Sequence, residues 1–181
     1  SLISNLILIS SLFLIISSIF DVLKKKRWNF SRVISHLSFG LLILFIGLNH
    51  NFSVEKDFNL KLGEVKKIDN YKFSLLDLKL NQETNYKAIV GKMEVSNLNT
   101  MEKRILNPEI RIYDNPQTLT YEASIQTNFL GDHYLTMSNI DRSEYYNIKF
   151  QHKPLMIWIW ISVLLLSFGG FLSLFKNAKN N

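Results

Sequence analysis

Three long apolar runs interrupt this otherwise polar chain of 181 residues, and they limit what it can fold into more than any other feature. They cover Leu2 to Phe20, Val33 to Leu48 and Leu155 to Phe175, and none contains Asp, Glu, Lys or Arg. An α-helix rises about 1.5 Å per residue, so some twenty such residues cross a hydrocarbon core of ~30 Å. Lipid leaves unpaired backbone groups without partners, so these runs must be helical if they span. We therefore predict three transmembrane helices, at about 2–20, 31–49 and 155–175.

The basic residues outside the central region cluster beside the ends of these runs. Asp21 is the one acidic residue outside the central region. The basic residues there are Lys24, Lys25, Lys26, Arg27, Arg32, Lys176 and Lys179. The region 51–154 instead carries 14 basic and 14 acidic side chains and is neutral. Short loops rich in Lys and Arg stay on the inner side of a membrane. The loop 21–30 and the tail 176–181 are therefore predicted inside, and the domain 51–154 outside.

This charge distribution and the residue content exclude several classes of function. The net charge of +6 lies beside membrane helices, where it is an orientation signal, so we predict no nucleic-acid partner. Basic residues follow the first run instead of preceding it, which favours a stop-transfer helix over a signal peptide. The chain has no cysteine, so it forms no disulfide and offers no thiolate to a metal or substrate.

Short stretches of the outside domain alternate apolar and polar residues, which is typical of half-buried strands. In 92–95 the apolar residues are Met93 and Val95, and 148–151 repeats the rhythm; in 121–126 we expect Tyr121, Ala123 and Ile125 to share one face. Turn residues separate the stretches. We predict an all-β extracytoplasmic domain, a small barrel or sandwich, with six or seven antiparallel strands at about 58–67, 71–80, 86–96, 103–113, 118–128, 133–137 and 145–152.

His36 is the main candidate site residue, because it is an ionisable group inside the second apolar run. Gly40 and Gly47 follow it by four and eleven residues, so helical geometry places them on its face. Glycines there leave room for a flat ligand or for a closely packed helix. Two interpretations stay open for His36: it binds a metal or haem iron, or it hydrogen-bonds a neighbouring helix.

The other candidate residues favour ordinary structural roles. His50, His133 and His152 fall on the predicted outer side, where surface or interfacial positions are expected. Trp158 and Trp160 open the third run, where an aromatic belt is expected at the membrane boundary. No catalytic group is predicted, since no nucleophile, phosphate loop, paired carboxylates or metal-ligand spacing occurs.

Several motifs in a fixed order make the chain resemble the C-terminal part of the CcmF family of haem lyases, which act in cytochrome c maturation. They are SHLSFGLLILFIG at 35–47, NY at 85–86, LNPEIRIY at 106–113, YEASI at 121–125, DHY at 132–134, and KPLMIWIW at 153–160 with a later GG at 169–170. Two positions depart from the family pattern: Ser38 and Ser162 stand where glycine is usual.

The resemblance implies that His36 is an axial ligand of a b-type haem in the membrane, with the second ligand outside this chain. It also implies that haem lyase activity requires an upstream region of the same protein, or a split subunit, carrying the tryptophan-rich haem-handling motif. The chain starts with Ser1, as expected for a piece of a longer polypeptide.

The expected partners are that upstream part, the subunits that deliver haem and apocytochrome c, and membrane lipid. The expected location is a bacterial or mitochondrial inner membrane, with the β domain in the periplasm or intermembrane space. Two alternatives stay open: a component of the other bacterial cytochrome c assembly system, and a non-catalytic membrane-anchored binding domain.

Overall fold

The computed structural model describes residues 2–24, 29–140 and 143–178. Residues 25–28 of the basic loop predicted at 21–30, and residues 179–181 of the predicted tail, lie outside the described residues. The chain divides into two compact units. One unit combines Ser1–Ser53, Asn128–Gly131 and Lys153–Asn181, and the other combines Val54–Thr127 and Asp132–His152.

The first unit is built from three helices: α1 Leu2–Lys24, α2 Phe30–Phe52 and α3 Met156–Ala178. Each predicted apolar run lies in one of them, so the prediction of three apolar helices is confirmed. All three are long and apolar enough to cross a membrane. The helices extend past the apolar runs into polar residues such as Lys24, because the intrahelical hydrogen bonds continue there.

Helix α2 packs against both α1 and α3, and small residues form both contacts. A side chain at Gly40 would place its Cβ 2.9 Å from Ile15 Cγ1 of α1, and one at Gly47 would lie 3.3 Å from Leu8 Cδ2. On the other side, a Cβ at Gly169 of α3 would lie only 2.5 Å from Ser35 Oγ. Backbones approach closely where both surfaces are small, as in many membrane helix pairs.

Several serine hydroxyls inside these apolar helices donate to backbone carbonyls. Ser18 donates to the Leu14 carbonyl at 2.7 Å, and Ser38 donates to the Ile34 carbonyl at 2.6 Å. Such bonds to the preceding turn remove the need for an external partner. Ser31 instead donates to the Gly169 carbonyl at 2.7 Å and so joins α2 to α3.

The second unit is a sandwich of two sheets. One sheet has the order β1-β10-β9-β8, and the other has the order β2-β3-β4-β6-β7 with β5 also paired to β4. The strands are β1 Val54–Lys61, β2 Val65–Ile68, β3 Tyr71–Gln82, β4 Tyr86–Asn97, β5 Lys103–Leu106, β6 Glu109–Asp114, β7 Gln117–Glu122, β8 Ser124–Asn128, β9 Gly131–Asn139 and β10 Tyr145–Pro154. Of the two predicted architectures, the sandwich is therefore the correct one.

The described part of the chain has ten strands where the sequence predicts seven, because three predicted strands are each divided in two. The strand predicted at 58–67 breaks at Gly63, whose φ of +76° suits glycine. The strand predicted at 103–113 breaks at Pro108, which lacks an N–H for the ladder. The strand predicted at 118–128 breaks at Ala123, where the chain passes from one sheet to the other.

The core between the sheets is filled by aromatic and aliphatic side chains from both. The Phe73 ring lies 4.6 Å from Phe58 and 5.2 Å from Phe150, measured between ring centroids. Met93, Val95, Ile148 and Phe150 are buried, as their alternation predicts. Tyr121, Ala123 and Ile125 are all exposed, so the apolar residues of 121–126 do not contribute to this core.

Candidate functional site

His36 lies on an exposed side of α2 that borders the contact with α1, and this side is called the uncovered face below. Five exposed residues of α2 recur at intervals of three, four and seven and so line this side of the helix: Arg32, His36, Phe39, Ile46 and His50. The buried residues of the same helix are Ser31, Ser38, Gly40 and Gly47. The imidazole of His36 is therefore accessible to a group that the described residues do not supply.

The two glycines expected near His36 contact a neighbouring helix. Gly40 and Gly47 are buried against Ile15 and Leu8 of α1, so they allow a close helix contact. Of the two interpretations of these glycines, helix packing is the correct one. His36 borders that contact but does not share it.

A small pocket of about 80 Å³ joins His36 to the neighbouring part of α1. It is lined by Ser17, Ser18, Asp21, Arg32, Val33 and His36. The hydroxyls of Ser17 and Ser18 both donate to the Leu14 carbonyl. The remaining polar groups that line this pocket are one carboxylate, one guanidinium and one imidazole.

The two serines that depart from the family pattern are compatible with close packing. Ser38 and Ser162 are almost fully buried, and the Ser162 hydroxyl donates to the Trp158 carbonyl at 2.8 Å. A serine whose hydroxyl is bonded within its own helix is a small residue with no unsatisfied group. These departures therefore do not disturb the helix contacts.

His133 and His152 are not surface histidines, which corrects the prediction made for them. The His133 side chain is 7% exposed, and its ring stacks on that of His152 with centroids 4.4 Å apart. His133 also lies 5.9 Å from the Phe150 ring. His50, in contrast, is exposed as expected.

Alternation in the sequence contained the signal for this histidine pair. His133, Leu135 and Met137 occupy alternate positions of β9, and Leu135 and Met137 are core residues. His152 continues the series of Ile148 and Phe150 in β10 in the same way. Period two therefore places both imidazoles on the core side, whereas residue type alone favours the surface.

The environment of the pair favours neutral imidazoles. Burial, with smaller contributions from His152 and Arg104, lowers the pKa of His133 from 6.5 to about 4. Burial also lowers the pKa of His152, against a backbone hydrogen bond with Asp132. The Asp132 side chain points to the opposite side of β9 and accepts a hydrogen bond from the Tyr134 hydroxyl at 3.0 Å.

Lowered histidine pKa values predict that the sandwich loses stability in acid. The unfolded chain binds protons at both histidines near pH 6.5, whereas folded His133 binds one only near pH 4. The contribution of His133 is therefore complete above pH 6.5 and is lost as pH falls toward 4, by at most about 1.4 kcal/mol per pH unit. Urea unfolding of residues 51–154 at several pH values measures this slope. A His133→Leu variant should have a smaller slope, and an equal slope would contradict the pKa assignment.

The described residues contain no group of three or more His, Asp or Glu side chains suited to hold a metal ion. At the start of α3, the Trp158 indole donates to the Phe129 carbonyl at 3.0 Å, and Trp160 is exposed. The aromatic belt expected of these tryptophans stays a prediction.

The fold defines a class of protein in which a β-sandwich is inserted between apolar helices. Residues 51–154 match the family model described as the CcmF C-terminal beta-sandwich, which is more than half of the chain. The chain therefore belongs to the CcmF family.

Curated relatives extend the match into the helices. The chain is 29% identical over 143 residues to the cytochrome c-type biogenesis protein CcmF of Escherichia coli, covering 79% of this chain and 22% of that protein. It is 27% identical over 154 residues to CcmF of Haemophilus influenzae, covering 85% and 24%. It is 29% identical over 153 residues to the cytochrome c-type biogenesis protein ccl1 of Rhodobacter capsulatus, covering 84% and 23%. The chain thus spans about a quarter of the length of these relatives.

A solved structure shares the fold. The structure titled Cytochrome c Heme Lyase CcmF aligns with 80% of this chain and 25% of its own, with a TM-score of 0.57 and 17% sequence identity. At that identity the likeness supports the arrangement of helices and strands, and it transfers no residue roles.

Proposed function

We propose that this chain is one part of a membrane haem lyase for cytochrome c maturation and that it holds a b-type haem through His36. The proposal joins family membership with the names of the relatives, which are cytochrome c-type biogenesis proteins. Attachment of haem to apocytochrome c would require the remaining three quarters of such a protein. We assign no residue of this chain to that bond-forming step.

The single observation that carries the proposal is the uncovered position of His36 on α2. Helices α1 and α3 pack against α2 through small residues, and the imidazole of His36 stays exposed beside these contacts. An ionisable group within an apolar helix is costly in lipid and is by default a functional candidate. A histidine with only a structural role would be expected to form a hydrogen bond within the contacts of α2 with α1 or α3.

The residues present fit one axial ligand and not a complete haem site. An accessible neutral imidazole is a common ligand of haem iron. The pocket of about 80 Å³ beside it is far smaller than the ~300–1,000 Å³ of ordinary sites for organic ligands. The macrocycle would therefore lie along the uncovered face of α2, and the second axial ligand would come from outside this chain.

A haem in this position would supply one-electron chemistry. His36 lies four residues from Arg32 at the basic end of α2, hence near the inner side of the proposed span. The β-sandwich follows the opposite end of α2 in the chain. A haem held by His36 would therefore have a redox role and no part in bond formation, passing electrons from a donor outside this chain to the haem substrate.

The proposed topology places α1, α2 and α3 across a bacterial or mitochondrial inner membrane. The basic ends of the helices face inward, and the neutral sandwich lies in the periplasm or intermembrane space. The proposed partners are the rest of the haem lyase, either upstream in the same protein or as a split subunit, the subunits that deliver haem and apocytochrome c, and membrane lipid.

Protease added to the outer side of sealed vesicles is expected to cut the sandwich at exposed loops. The accessible sites lie within residues 96–101, of which 99–101 are exposed, and within 114–117. The loop containing Lys24 should stay protected, because it lies inside in the proposed topology. Fragment sizes on a gel measure both results. Cleavage at Lys24 in vesicles shown to be sealed would contradict the orientation.

The purified assembly that contains this chain is expected to carry a low-spin b-type haem. Two strong axial ligands produce that spin state, and His36 would supply one of them. Absorption and low-temperature electron paramagnetic resonance spectra of the oxidised protein identify the ligation. An assembly without haem would favour the alternative of a membrane-anchored binding domain.

A further inference from the structure

Arg32 precedes His36 by four residues and lies on the same uncovered face of α2. Four residues advance an α-helix by about 6 Å, so the guanidinium and the imidazole lie one above the other along the helix. Both line the same small pocket. Among the ion pairs formed by described residues, none involves Arg32.

Arg32 is the guanidinium in the lining of this pocket, and it lies there with the carboxylate of Asp21. The hydroxyls of Ser17 and Ser18 are bonded to the Leu14 carbonyl, so Arg32 offers the main hydrogen-bond donors. A guanidinium carries five N–H donors in a planar fork that matches a carboxylate, and it can serve a second carboxylate such as Asp21 at the same time. The volume of about 80 Å³ admits a carboxylate but excludes a macrocycle.

A haem carries a group for each of these two side chains, an iron for His36 and carboxylates for Arg32. Its iron lies at the centre of a flat apolar ring, and its two carboxylates lie together on one edge of that ring. A ring bound at His36 along the uncovered face of α2 would bring that edge either toward Arg32 or toward apolar Phe39 and Ile46. Desolvating a carboxylate beside apolar side chains is costly, which favours the Arg32 side.

We propose that Arg32 binds the carboxylate edge of the haem whose iron is held by His36, and so fixes the orientation of the ring with its carboxylates toward the basic end of α2. This inference rests on the proposed function of His36. Arg32 is a positioning residue in it, and the group recognised is a free porphyrin carboxylate.

The test compares two iron porphyrins in the complete assembly, reconstituted after removal of its haem. Iron protoporphyrin IX has free carboxylates, and its dimethyl ester does not. Arg32→Gln is expected to weaken binding of the free acid by about 10- to 100-fold, as for loss of a charge-assisted hydrogen bond. The dimethyl ester should bind the wild type and the variant equally. Arg32→Lys keeps the charge without the planar fork and should bind the free acid with intermediate affinity.

Lys24→Gln is the matched control, because Lys24 is a basic residue at the same end of the helix pair but lies outside the His36 pocket. It should bind both porphyrins like the wild type. Where Arg32→Gln does not assemble, Arg32→Lys with the two porphyrins gives the same comparison.

Three results would overturn the inference: equal binding of the free acid by wild type and Arg32→Gln, an equal loss of both porphyrins, or the same loss in Lys24→Gln. The same loss in Lys24→Gln would mean that Arg32 serves only as one of the basic residues that orient the helices in the membrane. A wild-type assembly that binds neither porphyrin would instead refute the proposed function of His36, so the two failures are distinguishable.

Discussion

Replacing His36 by alanine is expected to remove most of the b-type haem from the complete assembly and to reduce cytochrome c maturation strongly. The substitution deletes the one axial ligand that we assign to this chain and leaves a cavity beside the iron. Added imidazole should enter that cavity and partly restore the low-spin spectrum. Pyridine haemochrome content per assembly and the yield of covalently attached cytochrome c measure the two effects.

His50→Ala provides the matched control, because His50 lies on the same uncovered side of α2 near the opposite end of the helix. His133→Ala and His152→Ala should leave the membrane haem in place, although they alter the core of the sandwich. Wild-type haem content and wild-type cytochrome c maturation in His36→Ala would contradict the assignment of His36 as a haem ligand. His36 would then be a histidine that bonds to the rest of the protein.

Replacing Phe73 by alanine is expected to destabilise the sandwich by about 3–5 kcal/mol. Phe73 is fully buried, and its ring contacts Phe58, Tyr71 and Phe150. The stability of a domain of this size is typically about 5–15 kcal/mol, so the variant should be marginally folded. Urea unfolding of residues 51–154 measures the change in the free energy of unfolding.

Leu80→Ala is the control for this prediction, since Leu80 belongs to the same strand and is 83% exposed. Its effect should stay within about 0.5 kcal/mol. The wild-type domain should give a strand-dominated circular dichroism spectrum and bind no haem. A helical spectrum, or equal effects of the two substitutions, would contradict the core described for the sandwich.

Much of the fold follows from local sequence patterns. The three helices are predictable because an apolar run of sufficient length has few alternatives, and the helix ends differ only where polar residues continue the hydrogen bonding. The strands are predicted at the right places but too few in number. Alternation detects a strand without revealing that the chain changes sheets near Gly63 and Ala123, because that change depends on partners far away in sequence.

The candidate site is predictable in part. A histidine within an apolar run is visible in the sequence, but which side of α2 remains exposed depends on where α1 and α3 pack, so the sequence leaves two roles open for Gly40. The stacked pair of His133 and His152 was missed for a different reason. Its signal is the period-two series of each strand, which outweighs the usual preference of histidine for the surface.

The serines of α2 also bear on the order in which the helices assemble during synthesis. The whole sandwich lies between α2 and α3 in the chain, so α3 is synthesised well after α1 and α2. In the proposed topology, the side of α2 that receives Gly169 would face lipid until α3 is present, and it carries the hydroxyls of Ser31, Ser35 and Ser38. The Ser38 hydroxyl donates to the Ile34 carbonyl of its own helix, so it needs no hydrogen-bond partner from α3. Ser31 is different, because its hydrogen bond to the Gly169 carbonyl can form only when α3 packs against α2. This hydrogen bond therefore forms only in the complete bundle of three helices.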